Sequence, residues 1–228
     1  MRRFPSAVFA LALAAIAASA TSAARAQSAR VQNAPPPAAP DPWPVLQGVR
    51  QSLVAAGPTG ADFTQVYIPA GFTSGETESG TLALNLPDCL RWDYQNPYPK
   101  SFLLCGGMVH FWNPEDKTGR RYPIDRQNEP GLDLLLLGVE DLKGRYRASG
   151  RTVADGRIEV SLVPKEGRPA AKSEALADAS FVVDPASQRL VEVSYHDREG
   201  NLTRFQIKGY RGLRSGQFSP PGGIRWES

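Results

Sequence analysis

Hydrophobic and polar side chains alternate with a period of two through most of the chain after Ala61. Between residues 81 and 94 the apolar members of the series are Leu82, Leu84, Leu86, Leu90, Trp92 and Tyr94. Such alternation places apolar side chains on one face of a β-strand. Pro87 interrupts the series with a residue typical of turns, so the pattern predicts two antiparallel strands that share one apolar face.

The same parity continues beyond the second of these strands. Apolar residues recur at Phe102 and Leu104, and again at Val109 and Phe111 after the glycine pair 106–107. A two-residue hairpin loop at this pair would place Leu104 opposite Val109 and Phe102 opposite Phe111. The pattern therefore predicts a meander whose inner face stays apolar across every turn.

Two segments have helical spacing instead. Pro44 suits a first helical turn, and Leu46, Val49 and Leu53 follow at intervals of three and four residues, which predicts a short amphipathic helix ending near 57–58. The second segment begins after Pro130, where helix is favoured over strand because one face would carry Leu132, Leu135, Leu136 and Val139.

Strand spacing returns in the second half, at 157–163, 179–184, 189–195 and 201–210. Ten or eleven strands against two short helices predict a mainly β (α+β) fold, a curved antiparallel sheet that forms an incomplete β-barrel. Because such a sheet encloses more volume than its own side chains fill, we expect helices to cover an apolar cavity.

The N-terminus is typical of an exported protein. Arg2 and Arg3 precede an apolar run over 7–20, which is shorter than the roughly 20 residues of a membrane span, and small residues precede Gln27. We expect residues 1–26 to be a cleaved signal peptide. Residues 27–42, rich in proline and alanine, form a predicted disordered leader, and residues 43–228 form the folded domain.

Composition and motifs argue against catalysis. The chain has 228 residues, a net charge of +3 and two histidines, and it lacks the spacing signatures of hydrolases, metalloproteases and phosphate-binding loops. An interpretation of Ser194, His196 and Asp197 as a catalytic triad fails, since neighbours along a strand point to opposite faces. We predict no enzyme, no metal, no cofactor and no nucleic-acid partner.

Cys89 and Cys105 are the only cysteines. They fall at the outer ends of two predicted strands, and an oxidising compartment favours a disulfide between them. Two free thiols are the alternative.

Several short segments form an ordered set: Phe63-Thr64-Gln65, Glu78-Ser79-Gly80, Leu86-Pro87-Asp88, Leu90-Arg91-Trp92-Asp93-Tyr94, Phe111-Trp112-Asn113-Pro114 and Phe218-Ser219-Pro220-Pro221-Gly222-Gly223-Ile224. In order and spacing this set resembles the LolA family of outer-membrane lipoprotein carriers, over about residues 45 to 226. The resemblance implies a periplasmic carrier that shields acyl chains and shuttles lipoproteins from the inner to the outer membrane. Its implied partners are acylated lipoproteins, an inner-membrane lipoprotein-releasing transporter, and an outer-membrane receptor or the outer membrane itself. A monomer is the default expectation.

The predicted site combines alternation with this resemblance. The expected lipid-binding residues are Leu82, Leu84, Leu86, Leu90, Trp92, Tyr94, Phe102, Leu104, Val109 and Phe111, and the expected lid residues are Leu132, Leu134, Leu135, Leu136 and Val139. In the family, the position that Leu86 occupies here is commonly an arginine that hydrogen-bonds to the lid. Arg91 is a candidate substitute, although alternation points it to the other face. A periplasmic lipid- or glycolipid-binding module with a different cargo is the alternative function.

Overall fold

The computed structural model describes residues 38–123, 138–165, 176–214 and 217–227. Among these residues, its helices are α1 (Pro42–Ala56) and α2 (Val139–Arg145). Its strands are β1 (Thr59–Ile68), β2 (Glu76–Asn85), β3 (Cys89–Asn96), β4 (Lys100–Cys105), β5 (Met108–Asn113), β6 (Thr118–Pro123), β7 (Tyr146–Thr152), β8 (Ile158–Pro164), β9 (Asp178–Asp184), β10 (Arg189–His196), β11 (Leu202–Gly212) and β12 (Arg225–Glu227).

All twelve strands belong to one sheet in the order β12-β6-β5-β4-β3-β2-β1-β11-β10-β9-β8-β7. Neighbouring strands are antiparallel except for β12, which runs parallel to β6. The predicted mainly β fold is therefore confirmed as an open, curved sheet. The strand number was underestimated because β6, β7 and β12 are short or polar and lack clear hydrophobic alternation.

The register of the first meander matches the predicted parity. Leu84 lies opposite Leu90 across the β2–β3 turn. Across the glycine turn at 106–107, Leu104 lies opposite Val109 and Phe102 lies opposite Phe111. We call the side of the sheet that carries these residues, and that faces α1, the inner face.

Helix α1 forms where spacing and capping residues agree. The Asp41 carboxylate accepts a hydrogen bond from the Trp43 backbone N–H at 3.1 Å, which satisfies a donor that the first turn leaves unpaired. The helix ends before Gly57, whose φ of 66° suits a residue without a side chain. The predicted helix is confirmed, and it begins two residues earlier than Pro44.

Helix α2 buries Val139 and Leu142 on the inner side of the fold. The predicted lid helix after Pro130 meets the described part of the chain only at Val139. Leu132, Leu134, Leu135 and Leu136 lie outside the described residues.

Apolar side chains are buried on both faces of the sheet. The inner face forms one continuous core with the three inward residues of α1, namely Leu46, Val49 and Leu53. On the outer face, Leu103 and Trp112 are each 1% exposed. Trp226 of β12 lies 5.6 Å from the His110 ring there, so the C-terminal segment supplies a partial outer layer.

Cys89 and Cys105 are directly paired in the β3–β4 register, with Cα atoms 4.3 Å apart, and are joined by a disulfide. Their side chains lie on the outer face, since they share parity with Leu103. The bond closes a loop with a sequence separation of 16 residues.

Replacing both cysteines, as C89S/C105S, is expected to lower the free energy of unfolding by roughly 3 kcal/mol, because the unfolded chain regains the entropy of the open loop. Urea titration of the oxidised protein and of the variant measures the difference. Treatment of the native protein with reductant should reproduce the loss and leave the variant unchanged. Two free thiols in the intact mass of the native protein would contradict the bridge.

Candidate functional site

A cavity of about 50 Å³ lies between α1, α2 and the inner face of the sheet. Its lining is apolar apart from one guanidinium and one phenol: Leu46, Val49, Arg50, Leu53, Leu82, Leu84, Leu86, Val139, Leu142, Phe181, Leu190, Ile207 and Tyr210. Side chains from both described helices and from four strands therefore converge on one partly open space.

Two periodicities in the sequence build opposite walls of this cavity. Helical spacing of three and four residues aims Leu46, Val49 and Leu53 at the sheet. Strand spacing of two residues aims Leu82 and Leu84 of β2 back at the helix. The cavity forms where the helical stripe meets the apolar face of the strand.

The cavity has room for only a few water molecules. A long acyl chain is many times larger, so the described conformation is a closed one. Admitting such a chain requires the helices to move away from the sheet, because the space between them is far smaller than the chain.

A row of aromatic rings extends along the inner face next to the cavity. Ring centroids of Phe102 lie 4.7 Å from Phe111 and 5.9 Å from Tyr94, and the row continues from Tyr94 to Phe63 at 4.9 Å. Gly80 separates Phe63 from Tyr94 in the register of β1, β2 and β3. Because Gly80 has no side chain, the two rings can meet across the intervening strand.

Polar groups border this aromatic row at the end where β2 begins. The Tyr94 hydroxyl donates to the Gln65 side-chain oxygen at 2.6 Å. The Lys100 ammonium lies 2.6 Å from the Glu78 carboxylate and 4.5 Å from the centre of the Tyr94 ring. The inner face therefore changes from aliphatic at Leu84 to aromatic and then to polar along the strands.

Burial raises the pKa of the Tyr94 phenol, and the Glu78 carboxylate raises it further. Burial likewise raises the pKa of Tyr210, against the opposing effect of the Arg189 guanidinium. The Tyr210 hydroxyl donates to the Leu190 carbonyl at 2.9 Å. Both phenols therefore keep their protons and act as hydrogen-bond donors over the physiological pH range.

The predicted cavity and lid residues that the structure describes fall into three groups. Those that line the cavity are Leu82, Leu84, Leu86 and Val139. Those buried elsewhere in the same core are Leu90, Trp92, Leu104 and Val109, and those in the aromatic row are Tyr94, Phe102 and Phe111.

The remaining lining residues were missed as site residues. Leu46, Val49 and Leu53 carried a visible helical stripe, yet nothing local indicated that this stripe would form a cavity wall. Phe181, Leu190, Ile207 and Tyr210 lie on strands whose pairing joins distant parts of the chain. Leu142 follows Val139 at helical spacing but was not counted with the lid, and Arg50 gave no signal in the sequence.

Arg91 does not substitute for an arginine at position 86. Its guanidinium lies on the outer face, 3.0 Å from the Gln217 carbonyl and 2.8 Å from the Asp93 carboxylate. Leu86 itself lies at the cavity with the α1 residue Arg50. The sequence-based expectation that alternation turns Arg91 away from the cavity is confirmed.

Groups that could suggest other chemistry are engaged in structural contacts. The His196 ring nitrogen Nδ1 lies 2.9 Å from Asp178, while Asp197 accepts hydrogen bonds from Asn201 within a turn. No cluster of three potential metal ligands occurs among the described residues. Within that same part of the chain, none of the helices has the length and apolarity needed to cross a bilayer.

Residues 58–219 match the family model described as "Outer membrane lipoprotein carrier protein LolA". Two similar relatives, each named "Outer-membrane lipoprotein carrier protein", come from Methylococcus capsulatus and Xanthomonas axonopodis pv. citri. They are 29% and 30% identical over 174 residues, which cover 72% of this chain and 78% of each relative.

A solved structure also shares the fold. An uncharacterised conserved protein from Thermus thermophilus superposes with a TM-score of 0.52 at 10% sequence identity. The match covers 81% of this chain and 96% of that protein. At this identity the likeness concerns the architecture of the sheet and its helices.

The free energy of unfolding should fall as pH rises above about 10, the ordinary pKa of tyrosine, because Tyr94 and Tyr210 ionise in the unfolded chain before they ionise in the folded one. Each phenol contributes a loss of about 1.4 kcal/mol per pH unit until its folded-state pKa is reached. Urea titrations across this range measure the slope. The double variant Y94F/Y210F should flatten it, whereas Y98F, at a side chain 76% exposed, should not. Equal slopes in the two variants would contradict the assignment.

Proposed function

Because this chain belongs to the LolA family of outer-membrane lipoprotein carrier proteins, we propose that it binds the acyl chains of lipoproteins between α1, α2 and the inner face of its sheet. The family consists of transport proteins, not enzymes. The observation that carries the proposal is the cavity at this position, lined almost entirely by aliphatic and aromatic side chains. The site residues are those that line it, with the aromatic row as its extension.

Burial of apolar surface provides the binding energy. Each CH₂ group of an acyl chain gains about 0.8 kcal/mol on leaving water, so a long chain exposed in an aqueous compartment is strongly unfavourable. The inner face offers aliphatic contacts at Leu84 and Ile207 and aromatic contacts at Phe63 and Phe102. A loaded carrier would exchange contacts between helix and sheet for contacts between lipid and sheet.

Release follows from the same exchange. Leu46, Val49 and Leu53 of α1 cover the apolar surface that a bound chain would occupy. The closed protein and the bound lipid therefore compete for one surface, which lowers the net affinity without reducing the capacity of the open form. A carrier that must deliver its cargo benefits from this competition.

The transport cycle that we propose runs from the inner to the outer membrane of the cell envelope. Residues 1–26 direct export and are removed, and the mature protein acts in the periplasm as a monomer. It receives acylated lipoproteins from an inner-membrane releasing transporter. It then delivers them to an outer-membrane receptor or to the outer membrane itself.

The variant L86E should weaken binding of a dansyl-labelled fatty acid at least about tenfold, because the charge would have to be buried beside the bound chain. Fluorescence titration measures the affinity, and far-UV circular dichroism checks that the fold is kept. V54E is the matched control, since the Val54 side chain is 45% exposed and does not line the cavity. Equal affinities of L86E and V54E, or no binding by the native protein, would contradict a lipid site in the cavity.

Mass spectrometry of the native protein purified from its own cell envelope should identify an acylated lipoprotein as cargo. Protein carrying L86E provides the background, and V54E should retain the cargo. Phospholipid or glycolipid bound in place of a lipoprotein would support lipid binding but overturn the lipoprotein assignment.

A further inference from the structure

The turn between β9 and β10 makes a specific polar contact with helix α1. The Arg189 guanidinium donates a hydrogen bond to the Ser52 hydroxyl at 2.8 Å. One residue earlier, the Gln188 side chain lies against Gly48, where any side chain would collide with its terminal oxygen. Gly48 and Ser52 are four residues apart and therefore lie one above the other on the same side of the helix. We call these four residues the clasp.

The clasp is directly connected to the cavity wall. The Arg189 guanidinium lies 5.5 Å from the centre of the Tyr210 ring, which lines the cavity. The Tyr210 hydroxyl in turn donates to the Leu190 carbonyl at 2.9 Å, and Leu190 also lines the cavity. Arg189 thus bridges a wall of the cavity and the helix that covers it.

The turn itself is held in place independently of α1. Asp184 accepts hydrogen bonds from the Ala186 backbone N–H and the Ser187 hydroxyl, both at 2.9 Å. The Gln188 amide donates to the Pro185 carbonyl at 2.8 Å. A fixed turn can restrain a moving helix, because the turn keeps its geometry when the helix departs.

We propose that the clasp is the polar restraint that holds α1 closed over the cavity and thereby sets the affinity for acyl chains. This inference rests on the proposed function, because it assigns a role in lipid entry. In the closed form the helix gains the Arg189–Ser52 bond in addition to its apolar contacts. Moving α1 outward to admit an acyl chain breaks that bond, so binding is weakened by the free energy of the clasp.

Removing the clasp should therefore strengthen lipid binding while it weakens the fold. The variant R189M keeps the apolar stem and loses the guanidinium, and S52A loses the acceptor. Each is expected to raise the affinity for a dansyl-labelled fatty acid by about three- to tenfold, because the lost bond is a partly exposed hydrogen bond to a charged group. The double variant R189M/S52A should match R189M alone, because both changes remove the same bond.

Hydrogen exchange of the α1 backbone amides gives a readout that needs no ligand. R189M and S52A should accelerate this exchange by a factor similar to their gain in affinity, since both report opening of the helix. R151M is the matched control, because it removes the ion pair of Arg151 with Glu159 at 2.6 Å, whose side chains alternate with the core residue Val160 and so point to the outer face.

The outcomes separate this inference from the function on which it rests. Affinity and α1 exchange in R189M that equal those of R151M would overturn the clasp, even if R189M has a lower melting temperature. Faster α1 exchange in a protein that binds no lipid probe would support the restraint and overturn the lipid-binding function. Lower lipid affinity in R189M would also overturn the clasp, since it would show that Arg189 contributes to binding.

Discussion

Cover of the inner face by helix α1 is the contact on which both the fold and the proposed transport depend. A wide antiparallel sheet has one apolar face that must leave water, and antiparallel sheets commonly pack only one face. Here α1 supplies three inward side chains against strands β2, β10 and β11. Because these contacts are apolar and non-directional, the proposed cargo can make them in place of the helix.

The sequence predicted features that depend on neighbours along the chain. The pairing of Leu104 with Val109 followed from alternation and a glycine turn, and α1 followed from its helical apolar spacing and a proline suited to the first turn. The far wall of the cavity could not be predicted in this way. Phe181 and Ile207 reach Leu84 only because β1 pairs with β11, more than a hundred residues later, and such pairing leaves no local signal.

Polar positions on the outer face are more buried than the alternation pattern predicts. Arg91, Asp93 and Ser101 alternate with inner-face residues, yet they form a connected group in which Asp93 accepts from Arg91 at 3.0 Å and from Ser101 at 2.7 Å. The Arg91 guanidinium also lies 5.1 Å from the centre of the Trp112 ring. Tertiary cover from the C-terminal segment, which sequence spacing could not reveal, makes this face a second packed layer.

The two end strands of the sheet affect whether the protein associates edge to edge with other chains. An open sheet presents unpaired backbone groups at both margins, which can template fibrous association with another chain. One margin here is β12, only three residues long and flanked by the ion pair of Arg120 with Glu227. The other is β7, where the Pro40 backbone lies close against Gly150 and where Arg147 and Arg151 are exposed. Within the described residues, short length and charge at these margins oppose edge-to-edge association, so the sheet can stay open around an apolar interior.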